Sequence, residues 1–139
     1  MFKKRKKNEL INVLIECSKN SISIYRTEIS KYLEQSNLEE ELDESKLYDS
    51  RAEYLDCVLD EVIKYYEKKS PKICNNILNL IANSKNYEID NDKPLMLGTI
   101  YYLCYIAIFN KEPSDQECVY LNHFQNDLMK KVLIDLDSE

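Results

Sequence analysis

The chain has 139 residues, a formal charge of −6, one glycine, three prolines, one histidine and no tryptophan. At roughly 100–200 residues per domain this is a single domain, long enough to bury a sizeable core. One glycine excludes phosphate loops, dinucleotide fingerprints and nucleophile elbows, which need two or more at fixed spacing, and argues against a sandwich or barrel built on tight turns. One histidine removes most zinc, haem and histidine acid–base designs.

In chain order, Lys3-Lys4-Arg5-Lys6-Lys7 comes first. It reads as a flexible basic tail over residues 1–7, ahead of one helical domain over 8–139. It resembles the basic start of a signal peptide, but Asn12, Glu16 and Lys19 break the following apolar stretch and no small-residue cleavage site appears. No export signal is expected. Ile11, Ile15, Ser18, Ile22, Tyr25, Ile29 and Tyr32 step by four and three, which is one face of an α-helix. Lys19-Asn20-Ser21 leaves open whether that is one helix or two. Residues 36–46 read as an acidic connector. A second helix is expected from Leu47 to Lys69, with Tyr48, Ala52, Leu55, Leu59, Val62 and Tyr66 inward and Lys68 and Lys69 suiting its C-terminal dipole.

Ser70-Pro71 has the form of an N-cap and first helical position. The third helix runs from there to about Asn83, with Ile73, Ile77, Leu80 and Ile81 inward. After a polar loop over 84–93, Pro94 opens a fourth helix that is apolar nearly all round from Leu95 to Phe109. A helix without a polar face is buried on all sides, so it belongs at the centre of the fold. Its 15 residues fall short of the roughly 18 that a spanning helix needs, and no membrane span is expected. Asn110 is a stop. Ser114 and Glu117 match a capping box for the last helix, whose stripe is Leu121, Phe124, Leu128 and Val132. The fold class is all-α: one compact domain of five or six helices around a central apolar helix.

Catalytic equipment is sparse. Cys17, Cys57, Cys74, Cys104 and Cys118 are scattered, odd in number and lack a CxxC pair, as expected of reduced cytoplasmic thiols. His123 has only Asp127 as a helper at helical spacing. Glu88-Ile89-Asp90-Asn91-Asp92 begins like a calcium loop, yet Leu95 and Tyr101 stand where the loop needs Gly and Glu. No metal, no cofactor and no catalytic residue are assigned.

Charge is distributed unevenly. Without the five cations of residues 3–7 the remainder carries −11, and residues 34–61 hold eleven acids against Lys46 and Arg51, a net of −9. Asp49, Glu53, Asp56 and Asp60 recur at four, three and four, lining one helix face. Such a face is either plainly solvated or complementary to a cationic protein. Tyr54 lies off the apolar stripe between acids and is expected to be partly exposed, as an interface anchor with Tyr48. Five cations on a −11 body make direct nucleic-acid binding unfavourable, and no lipidation motif points to a membrane.

The acidic stretch Glu39-Glu40-Glu41-Leu42-Asp43-Glu44 and the helix from Tyr48 to Asp56 resemble, in character, the small cytoplasmic immunity proteins of bacterial polymorphic-toxin and contact-dependent growth inhibition systems. The resemblance implies a protein that neutralises a cognate toxin domain, often a basic nuclease, by covering its active site or substrate groove. It makes Glu39, Glu40, Glu41, Asp43, Glu44, Tyr48, Asp49, Glu53, Tyr54, Asp56 and Asp60 the partner-binding candidates. A second resemblance, carried by the apolar helix from Leu97 to Phe109, is to Bcl-2-like helical proteins of poxviruses, which implies a groove for an amphipathic helix.

Overall fold

The four-three spacing of apolar residues is realised as five helices among the described residues, and no strand occurs among them. The computed structural model describes residues 2–35, 44–83 and 96–138. The helices are α1 (Phe2–Gln35), α2 (Glu44–Lys69), α3 (Pro71–Ala82), α4 (Leu97–Phe109) and α5 (Asp115–Asp137).

Lys19-Asn20-Ser21 does not break α1, which runs unbroken for 34 residues. Nor is the basic start a loose tail: Lys3 to Lys7 form its opening turns, and Lys7 Nζ lies 3.0 Å from Glu117 on α5. The buried line along α1 is Leu10, Leu14, Cys17, Ser21, Tyr25 and Ile29, flanked by Val13 and Ser18. This is rotated from the expected stripe, and Ile11, Ile15, Ile22 and Tyr32 sit half-buried at its margins. The reason is that α1 is covered from more than one side, by α2, α4 and α5. Small side chains at the centre of the contact let backbones approach, and the isoleucines fill the flanks.

The helices α1 and α2 share the most extensive contact in the molecule. They run antiparallel. Glu9 meets Tyr65 and Lys69, Ser21 Oγ lies 3.5 Å from Cys57 Sγ, and Tyr32 lies under the Lys46 ammonium. On α2 the core side is Ser50, Ala52, Tyr54, Leu55, Val58, Val62 and Tyr66. Ser70 then caps α3 by accepting from the Ile73 amide at 3.4 Å, with Pro71 as first helical residue. This is the arrangement the sequence predicts, since proline lacks only a donor that the first turn leaves unused. Cys74 and Ile77 face inward from α3.

In α4 every residue is buried or half-buried, and it packs on α3, α5 and α1. The rings of Tyr101, Tyr105 and Phe109 form a ladder along it, with centroids 5.7 and 4.4 Å apart. It starts at Leu97, later than the sequence suggests, and Pro94 lies outside the described residues. Met96 offers no side-chain cap. The caps come instead from α5: Gln125 Oε1 accepts from the Leu97 amide at 2.5 Å and Asn122 Oδ1 from the Gly98 amide at 2.7 Å. Gly98 is the chain's single glycine because α5 crosses here. A β-carbon at this position would stand 2.6 Å from the Cys118 carbonyl oxygen and 2.5 Å from Asn122 Oδ1. Asn110 ends α4 in the left-handed conformation, φ 56°, and returns its amide to the Ile106 carbonyl at 2.8 Å.

Ser114 is the N-cap of α5, but the reciprocal capping box does not form. Its hydroxyl donates to the Glu117 carboxylate, which Lys7 also engages. The buried line of α5 is Leu121, Gln125, Met129 and Val132, with Phe124 and Leu128 half-buried.

Candidate interaction surfaces

An α-helix turns about 100° per residue, so Asp49, Glu53, Asp56 and Asp60 fall within an arc of roughly 60° on α2. That arc is diametrically opposed to Val58, one of the most deeply buried residues of the helix. Asp49, Glu53 and Asp60 are exposed and Asp56 is half-buried. Among the described residues, Asp49, Glu53 and Asp60 have no ion-pair partner. Neither base of this stretch pairs with these three acids among the described residues. Lys46 lies 6.0 Å over the Tyr32 ring, and Arg51 is half-buried with its Nε shielded from solvent and without a hydrogen-bond partner. Asp49, Glu53 and Asp60 thus span about 17 Å of helix.

The other candidates divide. Glu44 is exposed in the first turn of α2, where a carboxylate complements the helix dipole, roughly 140° round from Asp49. Tyr48 is half-buried in a shallow hollow that Leu47, Glu44 and Asp49 also line, so its ring is at the edge of the acidic face. Glu39, Glu40, Glu41 and Asp43 lie outside the described residues, as does the Glu88-to-Asp92 segment.

Tyr54 is a correction. It is 0% exposed and belongs to the core between α1 and α2, not to a surface. Its position off the stripe misled because the core arc of α2 is broader than one stripe and α1 covers its flank. Burial pushes its phenol up to about 12, with the Ser18 hydroxyl opposing the shift. Neither hydroxyl reaches a partner at regular hydrogen-bond geometry. Tyr54 serves packing and cannot anchor a partner.

Two of the thiols are held in their protonated form by burial. Burial, with Glu61 adding to it, pushes Cys17 up to about 12, and burial pushes Cys104 up to about 12. A thiolate is the reactive form, and the shift holds both groups as thiols near neutral pH. His123 is exposed. Among the described residues no cluster of His, Cys, Asp and Glu could hold a metal ion, and no helix is long and apolar enough to cross a membrane.

A second charged surface was not foreseen from the sequence. The antiparallel pairing brings Lys64, Lys68 and Lys69 at the end of α2 beside Lys4 and Arg5 at the start of α1, where one groove is lined by all five. The signal was available: two long helices joined by a short connector must pair antiparallel, which places the C-terminal lysines of one beside the N-terminal cations of the other. Within this pole Lys69 Nζ and Glu9 Oε1 stand 2.5 Å apart, and the Tyr65 hydroxyl donates to the same oxygen at 2.8 Å. The Lys69 ammonium holds Glu9 below the usual carboxylate range, with the Tyr65 hydroxyl assisting, and Glu9 raises Lys69.

No protein-family model, curated protein or solved structure matches this chain. The interpretation of the two surfaces accordingly rests on their physical chemistry.

Proposed function

We propose that this chain is a protein-binding domain that docks a cationic protein on the outer face of α2. In its sharpest form it is a cytoplasmic immunity protein that covers the active site or substrate groove of a cognate, basic toxin domain. The observation that carries the reading is the run of Asp49, Glu53 and Asp60, exposed and without an ion-pair partner among the described residues, on the side of α2 away from the core. Like charges one turn apart cost a few tenths of a kcal/mol each in an isolated helix. A cationic partner reverses that cost, steers encounter and selects against acidic competitors. Carboxylates at one-turn spacing also present charge as a phosphate backbone does, which suits a surface that normally receives nucleic acid. Tyr48 at the edge of the face supplies an amphipathic contact of the kind enriched at interfaces. No catalytic residue enters this reading.

The test is to read the neighbouring frames of the genome and to co-express this chain with the C-terminal domain of any large secreted protein found there. Growth should be protected by the native chain and lost with Asp49→Lys, Glu53→Lys and Asp60→Lys combined, while far-ultraviolet circular dichroism stays unchanged. Protection that survives the triple reversal rules out the acidic face, and a neighbouring domain without toxicity rules out the immunity form.

A further inference from the structure

The sequence argues against nucleic-acid binding because five cations stand on a −11 body. The fold alters both halves of that argument. The cations of α1 are joined by those of α2 in one groove of about 1330 Å3. Lys4, Arg5, Lys64 and Lys68 line it, all four exposed and none with an ion-pair partner among the described residues. The exposed acids Asp49 and Glu53 of α2 stand apart from it along the helix. Glu53 is about 22 Å from Lys68 along the axis, more than two Debye lengths at physiological salt. Closer to the cations are Asp60 and Glu61, one turn from Lys64, and Glu67, beside Lys68. Glu9 is neutralised within the groove by Lys69, and Glu16 and Glu61 line it beside Lys64.

From this placement we infer that the α1–α2 groove is a binding site for single-stranded nucleic acid, entered at its cationic mouth. Two cations from each wall line the same groove, and Lys64 and Lys68 are about 6 Å apart along the axis, close to two 3.4 Å phosphate steps of a stacked strand. Asn8, Asn12 and Asn20 line the α1 wall at multiples of four, Asn8 and Asn12 level with the lysines of α2 and Asn20 beyond them. Each amide carries donors and acceptors together, as an unpaired base edge requires. Two other polyanions fit less well. A bilayer surface is flat and favours cations flanked by exposed apolar residues. Among the described residues the exposed large apolar side chains are Leu78, Val119, Tyr120 and Ile134, on α3 and α5. An acidic protein would seek apolar anchor pockets, and the apolar residues at the base of the groove, Val13 and Cys17, are already buried. The inference stands apart from the proposed function, which uses the opposite face of charge.

The experiment is fluorescence anisotropy of the full chain with a labelled polyuridine RNA of roughly 20 nucleotides at about 50 mM salt, with duplex DNA and phosphatidylserine vesicles as competitors. The RNA binds, and its affinity falls with salt with a log–log slope of about −2 to −3, as three or four neutralised phosphates require. Lys64→Glu with Lys68→Glu weakens binding about tenfold or more, and so does Lys4→Glu with Arg5→Glu. Lys130→Glu with Lys131→Glu on α5 makes the same change in net charge and leaves binding within about twofold. Absence of RNA binding, equal losses from the α5 control, or tighter binding of duplex or vesicles overturns the inference.

Discussion

Single residues carry much of this fold. Gly98 is required by the crossing of α4 and α5, not by backbone torsion. Gly98→Ala gains roughly 0.8–1 kcal/mol of helix propensity but drives a β-carbon against a backbone carbonyl, an overpacking cost of about 1–3 kcal/mol. The net effect is a lower melting temperature, by a few degrees, measured by calorimetry. Gln125, fully buried, supplies the acceptor for the first amide of α4. Gln125→Leu keeps the volume and removes that acceptor, and an orphaned buried donor costs about 1–3 kcal/mol; urea denaturation should report that loss. The thiols give a chemical check on burial. With Cys17 and Cys104 both pushed up to about 12, timed iodoacetamide labelling at neutral pH followed by mass spectrometry should modify half-buried Cys57 before either. Labelling of Cys104 first would contradict the packing of α4.

The helices themselves were the most legible feature of the sequence. Ser70-Pro71, Asn110 and the apolar run ending at Phe109 each state a local rule that the fold obeys. What the sequence concealed is which side of each helix meets which neighbour. The four-three pattern in α1 tracks isoleucines, whereas the contact with α2 centres on Cys17, Ser18 and Ser21, residues whose small size matters more than their hydropathy. Tyr54 was misplaced for the same reason. The capping of α4 by Gln125 and Asn122 was invisible because it joins residues 28 and 24 positions apart. At this scale the Glu9–Lys69 latch makes a prediction. Glu9 titrates lower in the fold than in the unfolded chain, so its contribution is present above the ordinary carboxylate pKa and disappears as pH falls through the depressed folded value. Lys69 is raised, so its contribution holds below the ordinary lysine pKa and disappears as pH rises through the elevated one. Glu9→Gln should therefore lower thermal stability at neutral pH and have no further effect once the carboxylate is protonated in acid, as read from melts across that range. An equal loss at both ends would mean that Glu9 contributes only shape.

For the molecule as a whole, the formal charge of −6 hides two poles. One lies where α1 begins and α2 ends, the other on the outward face of α2 from Asp49 to Asp60. The acidic half of the candidate site was readable because helical spacing alone aligns it. The basic half needed the antiparallel pairing of α1 and α2. Glu39, Glu40, Glu41 and Asp43 stand in the sequence just before the acidic helix, outside the described residues.

The central claim is that the acidic face of α2 binds a cationic protein. Its most direct measurement is titration calorimetry of the native chain and the Asp49→Lys, Glu53→Lys, Asp60→Lys variant against a basic nuclease toxin domain, taken from a neighbouring frame where one encodes it, at two salt concentrations. The account predicts tight, salt-sensitive binding by the native chain and a loss of about a hundredfold or more in the variant, since each reversed contact is worth about 1 kcal/mol or more. An unchanged Kd in the variant would contradict it.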